Sequence, residues 1–259
     1  MDERDWRRYI GDYHDSRPGI TERLFQHADA SPHAWLADSL NSPPGAVLDL
    51  ACGSAPTRAS LPDANWIGVD SSEGELRTAA RLGRVPLVRA DADALPLMTG
   101  AVGAVCASMC LPVLTPLPRV LAEIRRVLRP GGVLAALVPA QSGLSASGMF
   151  GWARVMYTLR ALHQPWPNPG ARDSLATLLR ESGFLVHSDE RQVFTLCLET
   201  PEAVALLVDG LYLPGLTPQR AAAAKRALAH WARPGRRLEL PLRRVVAERS
   251  IDHITQEYA

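Results

Sequence analysis

Short apolar runs alternate with amphipathic helical segments between residues 46 and 139. The runs have the length of buried strands, and the segment that begins at Leu117 places its apolar side chains on one helical stripe. Strands that alternate with helices at this spacing predict an α/β fold, in which a doubly wound, mainly parallel sheet carries helices on both faces. Two further strands are predicted after residue 183, so we expect a seven-stranded sheet.

The predicted strands cover residues 46–50, 65–70, 85–91, 101–109, 132–139, 184–198 and 237–250. The first three end in or next to an aspartate: Asp49, Asp70 and Asp91. The carboxyl ends of parallel strands meet at one edge of a sheet, where open α/β folds bind their ligands. An aspartate there can also cap the next helix, and for any one residue the two interpretations are equally good. Together the three acids predict a nucleoside site.

The first strand continues into a bend of small residues with Gly53 at its centre. Burying the Asp49 carboxylate is costly unless a cation or a hydrogen-bond donor meets it, so we expect a partner there. The bend lacks the G-x-G-x-x-G pattern of dinucleotide-binding proteins, and Pro56 removes a backbone amide that could hold a pyrophosphate. A nicotinamide-dependent enzyme is therefore disfavoured.

Composition argues against several classes of protein. The chain has 259 residues and a formal net charge of +1, without the basic excess typical of proteins that bind nucleic acid. No apolar run is long enough to span a membrane, and residues 1–15 are charged where a secretory signal needs an apolar core. The four cysteines lack the paired spacing of a zinc site and the density of a disulfide framework. These features predict a cytoplasmic protein without a bound metal.

Four segments between residues 45 and 140 are informative together. They are VLDLACGSA (residues 47–55), GVD (68–70), ADADALPL (90–97) and VLAEIRRVLRPGGVLAALVP (120–139). In this order and at these separations they resemble the motifs of class I S-adenosylmethionine-dependent methyltransferases. The resemblance implies a Rossmann-like methyltransferase fold and S-adenosylmethionine as the cofactor.

The resemblance also implies a role for individual residues. Asp70 would hold the ribose diol, and Asp49 would reach the methionine ammonium directly or through water. Asp91 would accept from the adenine amino group beside the backbone of Ala92, and Ser108 would line the methyl-transfer site. The cofactor-binding residues expected in this way are Asp49, Ala51, Gly53, Asp70, Ser71, Asp91, Ala92 and Ser108.

Three positions depart from the pattern of the family. Ala55 stands where the last glycine of the first motif is usual, and Ser71 stands where a bulky apolar residue normally packs on adenine. Val102 and Gly103 replace an aromatic–acidic pair at the start of the fourth strand. We expect cofactor binding to survive all three changes.

Methyl transfer to oxygen, nitrogen or carbon can require a base that removes a proton from the acceptor. The two histidines of segments expected to cover the cofactor, His163 and His14, are the candidates, and ordinary packing is the alternative for each. No Asn-Pro-Pro-aromatic motif is present, so the expected acceptor is a small hydrophobic or aromatic molecule, for example a natural-product intermediate. The alternative function is cofactor binding without methylation, as a cyclase or a binding module.

We expect one domain over residues 1–259. Within it, residues 1–44 would form a helical lid, residues 45–140 the cofactor-binding core, and residues 141–259 a helical insert that covers the substrate, followed by the last strands. The expected partner is a small-molecule substrate, with no nucleic acid and no membrane, and the expected assembly is a monomer or a homodimer.

Overall fold

The computed structural model describes residues 1–40 and 45–250, and its sheet has the strand order β3-β2-β1-β4-β5-β7-β6. The strands are β1 (Val47–Leu50), β2 (Trp66–Asp70), β3 (Leu87–Arg89), β4 (Val102–Ser108), β5 (Leu128–Pro139), β6 (Phe184–Cys197) and β7 (Arg237–Arg249). Strands β1 to β5 pair in parallel, and β7 runs antiparallel to both β5 and β6. The predicted α/β fold with a mainly parallel, seven-stranded sheet is confirmed.

Ten α-helices are present among the described residues, together with one 3₁₀ turn over Pro56–Ser60. The helices are α1 (Glu3–Ser16), α2 (Ile20–Phe25), α3 (Pro32–Asp38), α4 (Glu73–Arg81), α5 (Leu117–Val127), α6 (Ala146–Thr158), α7 (Pro169–Asp173), α8 (Leu175–Glu181), α9 (Pro201–Asp209) and α10 (Pro218–Ala229). The apolar stripe predicted on α5 is buried along its whole length. Ser31 caps α3 by accepting from the Ala34 amide, with Pro32 as the first helical residue.

Two of the predicted strands have boundaries that differ from the observed ones by more than one residue. β5 begins at Leu128 instead of residue 132, because Leu128 already pairs with Val102 before the register shifts ahead of Ala104. The irregular stretch of β5 contains Gly131 and Gly132, which follow α5 in the chain. β3 covers only Leu87–Arg89, so Asp91 lies two residues beyond its end.

The N-terminal helix α1 lies across the carboxyl edge of the sheet. The Trp6 side chain is buried, and its indole N–H donates to the carbonyl oxygen of Val113 over 2.8 Å. The Asp15 carboxylate accepts from the Ser72 hydroxyl over 2.7 Å and from the Gly74 amide over 3.0 Å. These contacts attach α1 to the start of α4 and to the loop after β4, which is the place expected for a lid.

The second half of the chain completes the sheet and adds helices that pack against α1 and α2. β7 separates β5 from β6, and a core of apolar side chains joins α1 and α2 to α6, α9 and α10. The indole N–H of Trp152 on α6 donates to the Glu239 carbonyl oxygen of β7 over 2.7 Å. Residues 41–44, where the predicted lid segment ends, and residues 251–259 lie outside the described residues.

We expect limited proteolysis to release no stable fragment that ends near residue 140. Such a fragment would expose the edge of β5 that β7 covers along seven paired residues, from Val133 to Pro139. Gel electrophoresis with mass spectrometry of a protease time course measures this. A persistent fragment of residues 1–140 would contradict the single domain that the sequence predicts.

Candidate functional site

A cleft of about 790 Å³ lies at the carboxyl edge of the sheet, beyond the ends of β1, β2 and β4. β1 and β4 are neighbours in the sheet but not in the chain, so this edge is a topological switch point, where open α/β sheets bind ligands. α1 and α2 form the opposite wall of the cleft through residues that include Ile10, Gly11 and Thr21. We call it the first cavity.

Of the four described non-glycine residues with a positive φ angle, three lie around the first cavity. Ala51, Gly53 and Ala55 of the bend after β1 have φ angles of 50°, 57° and 56°, and Met109 after β4 has a φ of 60°. For residues with a Cβ atom this conformation costs of the order of 1 kcal/mol each, and such strain is found preferentially at functional sites. Ala55 therefore adopts the conformation for which the family pattern uses glycine. The predicted bare bend is present, and it lines the cavity with Ala51 and Gly53.

Asp49 is 1% exposed and points its carboxylate into the site from β1. The Thr57 hydroxyl donates a hydrogen bond to it, and no lysine or arginine pairs with it among the described residues. Burial, followed by the neighbouring charge of Asp70, raises the pKa of Asp49 to about 7, against the effect of the Thr57 hydrogen bond. A buried carboxylate of this kind would be stabilised by a cationic ligand.

Asp70 ends β2 and orders the backbone around it. Its two carboxylate oxygens accept from the amides of Gly53 and Ser72, each over 2.8 Å. Burial raises the pKa of Asp70, while these two hydrogen bonds act in the opposite direction. Each oxygen keeps a lone pair for a ligand, so Asp70 can anchor the bend and accept from hydroxyl groups at the same time.

The first cavity is acidic. Four carboxylates line it, and no lysine or arginine does so among the described residues: Glu22, Asp49, Asp70 and Glu75. Glu22 is neutralised by Arg84 at 2.7 Å, and burial lowers the pKa of the lining His33 to about 4, so His33 adds no positive charge near neutral pH. This charge pattern fits a ligand that carries a sulfonium and an ammonium group, as S-adenosylmethionine does.

The other predicted cofactor residues divide into two groups. Ser71 and Ser108 line the first cavity, and the Ser108 hydroxyl is buried without a hydrogen-bond partner among the described residues. Asp91 is exposed and Ala92 packs against the sheet core, so neither lines the cavity. Their contact with adenine stays a prediction.

The two candidate histidines are placed very differently. His14 lines the first cavity, with Nδ1 2.9 Å from Glu75 Oε1 and Nε2 3.1 Å from the Tyr212 hydroxyl oxygen. His163 is exposed in the loop after α6 and lines neither this cavity nor the second one described below. Neither Glu75 nor Tyr212 belongs to a sequence motif. They meet His14 only because α1 packs against α4 and against the loop after α9.

A second cavity of about 1040 Å³ adjoins the first. Its wall is mainly apolar and aromatic and is formed by α2, α6, α9 and the ends of β6 and β7, with Phe25, Trp152 and Trp166 among its side chains. Four residues line both cavities: Thr21, Met109, Val113 and Tyr212. The arrangement places a cavity lined by four carboxylates next to one that no described carboxylate lines, and the two share a boundary.

Other kinds of chemistry find little support in the described residues. Burial raises the pKa of the thiols of Cys52 and Cys106, so neither is a thiolate nucleophile near neutral pH. Histidine, cysteine and acidic side chains form no group of three that could hold a metal ion within residues 1–40 and 45–250. Over the same residues, no helix combines the length and the apolar character that a bilayer crossing requires.

Comparison with known proteins gives consistent results. A family model described as "Methyltransferase domain" matches residues 48–136. The malonyl-acyl-carrier-protein O-methyltransferase of Alcanivorax borkumensis is 36% identical over 171 residues, which are 61% of this chain and 55% of that protein. The demethylmenaquinone methyltransferase of Mycolicibacterium gilvum is 36% identical over 123 residues, or 47% of this chain and 52% of that one. The chain thus spans about half the length of these relatives.

The fold has close counterparts among solved structures. The crystal structure of the 4+2 cyclase SpnF superposes with a TM-score of 0.60 at 17% sequence identity, over 93% of this chain and 95% of that one. At this identity the likeness concerns the fold alone.

Proposed function

We propose that this chain, which belongs to the class I S-adenosylmethionine-dependent methyltransferases, transfers a methyl group from that cofactor to a small hydrophobic or aromatic acceptor. One observation carries the proposal: a cavity lined by four carboxylates, and by no lysine or arginine among the described residues, shares a boundary with a larger, mainly apolar cavity. The first suits the cationic methyl donor, and the second suits the acceptor.

The cofactor supplies a methyl group on a sulfonium, and the chain supplies its binding groups. Asp70 accepts from the ribose hydroxyls, and Asp49 meets the methionine ammonium. The left-handed bend from Ala51 to Ala55, which includes Gly53, lets the backbone approach the ligand, and Ser71 and Ser108 complete the walls. Asp91 and the backbone of Ala92 do not line the cavity, and they would hold adenine just outside it.

Most of the rate enhancement at such a site comes from aligning the methyl donor with the acceptor and from excluding water. Effective-molarity arguments assign about 7–11 kcal/mol to positioning alone. The boundary shared by the two cavities is the place where a methyl group and an acceptor atom would meet, and Met109 and Val113 shield it with apolar side chains. The lid helix α1 and the insert helix α6 cover the two cavities from outside.

The acceptor, the location and the assembly of the protein are proposed on separate grounds. The relatives similar to this chain are named for malonyl-acyl-carrier protein and for demethylmenaquinone, and neither name fixes an acceptor here. The apolar wall with Phe25 and Trp152 supports an acceptor such as a natural-product intermediate. The proposal also includes a cytoplasmic location, a monomer or homodimer, and the absence of nucleic-acid and membrane partners. The near-neutral net charge and the four free cysteines support these parts of the proposal.

Incubation with a methyl-labelled donor tests the proposal. The protein is mixed with S-adenosylmethionine labelled in the methyl group and a panel of phenols, alcohols, amines and carboxylic acids, and binding of S-adenosylhomocysteine is measured by calorimetry in parallel. Transfer of label to a panel member supports the proposal. Tight binding of S-adenosylhomocysteine without transfer supports the alternative, a protein of this family that binds the cofactor without methylating.

Deletion of residues 1–16 should lower turnover far more than it disturbs the sheet. The deletion removes Ile10, Gly11 and His14 from the cavity wall and opens the site to water. It also removes the buried Trp6, so some loss of stability accompanies it and rates are compared well below the melting temperature. Arg8→Ala, an exposed change on the same helix, is the control. Undiminished turnover in the truncated protein would refute a lid role for α1.

A further inference from the structure

Three side chains from three separate elements form a hydrogen-bonded row at the first cavity. Glu75 on α4 lies 2.9 Å from Nδ1 of His14 on α1, and Nε2 of His14 lies 3.1 Å from the hydroxyl oxygen of Tyr212 in the loop after α9. Glu75 is 2% exposed. We call these residues the Glu75–His14–Tyr212 row, and all three line the first cavity.

The partners of the row set the direction of its hydrogen bonds. The second oxygen of Glu75 accepts from the Gly19 amide over 2.7 Å, so the carboxylate acts as an acceptor on both sides. Nδ1 of His14 must therefore donate to Glu75, and Nε2 of a neutral imidazole is left with a lone pair. The Tyr212 hydroxyl then donates to Nε2, and its oxygen accepts from the Thr21 side chain, which leaves one lone pair for a further donor.

Tyr212 alone of this row lines both cavities. Its backbone amide donates to Gln164 Oε1 over 3.0 Å, and its ring packs on Tyr13 with 4.8 Å between centroids. These contacts hold the hydroxyl oxygen at the boundary where donor and acceptor would meet. His14 does not line the second cavity, so a molecule bound there meets Tyr212 first.

We propose that Tyr212 removes the proton of a protic acceptor and passes its own hydroxyl proton to His14. Glu75 is the positioning residue. This inference rests on the proposed methyl transfer. The acceptor oxygen or nitrogen uses its electron pair to bond the methyl carbon, and the electrons of the broken C–S bond stay on sulfur. The acceptor proton moves to the Tyr212 oxygen while the former hydroxyl proton moves to Nε2 of His14. The imidazolium that results is paired with Glu75 and returns its proton to water.

Tyr212 cannot serve as the final base. Burial raises the pKa of Tyr212, and the nearby negative charge of Glu75 raises it further. The phenol therefore stays protonated near neutral pH and must pass its proton on. The titratable groups that face the row are Asp70, Tyr9, Tyr13 and Cys110, from β2, α1 and the loop after β4. None of these four groups is a cation.

This row defines the class of acceptor. A phenol, an enol or an alcohol must lose a proton during methylation, whereas a carboxylic acid is already ionised near neutral pH and needs no base. We therefore infer an acceptor with a phenolic or similar hydroxyl group, held in the apolar second cavity with that group at Tyr212.

Tyr212→Phe is the test variant, since it removes one hydroxyl and keeps the ring. The phenols and carboxylic acids of the labelled-donor panel serve as probes, and we expect phenols to be methylated and carboxylic acids to remain unlabelled. The variant should lose roughly 10²–10⁴-fold in kcat, the usual range for a general base. Its affinity for S-adenosylhomocysteine should change less than threefold. Tyr13→Phe is the matched control, because Tyr13 lies in the same aromatic cluster but lines neither cavity.

Two further variants separate a proton-transfer role from a structural one. His14→Gln should lose most of the wild-type rate, because Nε2 is then no longer there to receive the proton from Tyr212. Glu75→Gln should lower kcat and leave the KM of the acceptor unchanged. Wild-type rates in Tyr212→Phe, labelling of carboxylic acids alone, or a loss of cofactor affinity equal to the loss of rate would each overturn the proton relay.

A measurement without turnover separates failure of this inference from failure of the proposed function. Absence of transfer to every panel member, with binding of S-adenosylhomocysteine retained, counts against methyl transfer. Nitrogen-15 spectra of the imidazoles at pH 8, assigned with His14→Gln, then report the tautomer of His14. The Nδ1–H form supports the row as described, and the Nε2–H form would overturn it, because Nε2 could no longer receive a proton.

Discussion

We expect Asp49→Asn to melt at a higher temperature than the wild type at pH 8 and to bind S-adenosylhomocysteine roughly 10- to 100-fold more weakly. Burial keeps the folded-state pKa of Asp49 near 7, well above its unfolded value of 3.8. The folded state therefore binds this proton more tightly than the unfolded state. The stability that the proton contributes is complete below about pH 4 and is lost as the pH rises through 7.

Asparagine removes the buried charge that destabilises the unliganded protein above pH 7. Its carbonyl oxygen can still accept from Thr57, so the neutral side chain keeps the hydrogen bond. The gain is a few kcal/mol at most, and each kcal/mol raises the melting temperature of a protein of this size by roughly 2–4 °C. Melting curves at pH 5 and pH 8 should show a stabilised variant only at the higher pH. Asp70 lies close enough to raise the pKa of Asp49, so the neutral asparagine also relieves the repulsion between the two buried carboxylates.

Loss of affinity is the functional counterpart of this gain in stability. A hydrogen bond to a charged group contributes about 1.5–3 kcal/mol, and about 1.4 kcal/mol corresponds to one decade in affinity. In the wild type, affinity should rise from pH 6 to pH 8 as Asp49 ionises, and binding near pH 6.5 should release a proton, which calorimetry in two buffers detects. Asp63→Asn, the same change at an exposed position, is the control. Unchanged affinity in Asp49→Asn would refute the contact with the ammonium group.

The second large effect is expected for Asp70→Ala, with a roughly ten- to several-hundredfold loss of affinity for S-adenosylhomocysteine. Two losses combine in this variant. The ribose hydroxyls lose a charged acceptor, and the amides of Gly53 and Ser72 lose the carboxylate that holds the bend. Loss of the two backbone hydrogen bonds lowers the stability of the folded state, whereas removal of a buried charge raises it. The melting temperature should therefore change little.

A cycle with a modified ligand separates the two roles of Asp70. Wild type and Asp70→Ala are each titrated with S-adenosylhomocysteine and with its 2′-deoxy analogue. If Asp70 accepts from the ribose, the analogue binds the wild type more weakly but binds the variant almost as well as the parent ligand does, so the two losses are not additive. Additive losses would mean that Asp70 acts only as the anchor of the bend.

Much of the fold follows from local patterns. The stripe on α5 and the apolar runs of β1, β2 and β4 needed no long-range information, because their periodicity records which side chains are buried. The sequence also predicts that Asp49 and Asp70 lie close together, because parallel strands end at the same edge of the sheet. The proposed cofactor site is therefore largely predictable from the residues at the ends of β1 and β2.

Other features were decided only by tertiary structure. Asp91 follows its strand much as Asp70 does, yet β3 ends early at Arg89 and leaves Asp91 exposed. His163 and His14 looked alike in sequence, and only packing places His14 in the cavity and His163 in solvent.

The Glu75–His14–Tyr212 row joins residues 61 and 198 positions apart. Side chains this distant carry no periodic signal, because their meeting depends on how helices dock and not on the conformation of either segment. The sequence by itself therefore determined the sheet and the acids at its edge, while the docking of α1 over that edge determined which groups can exchange a proton there.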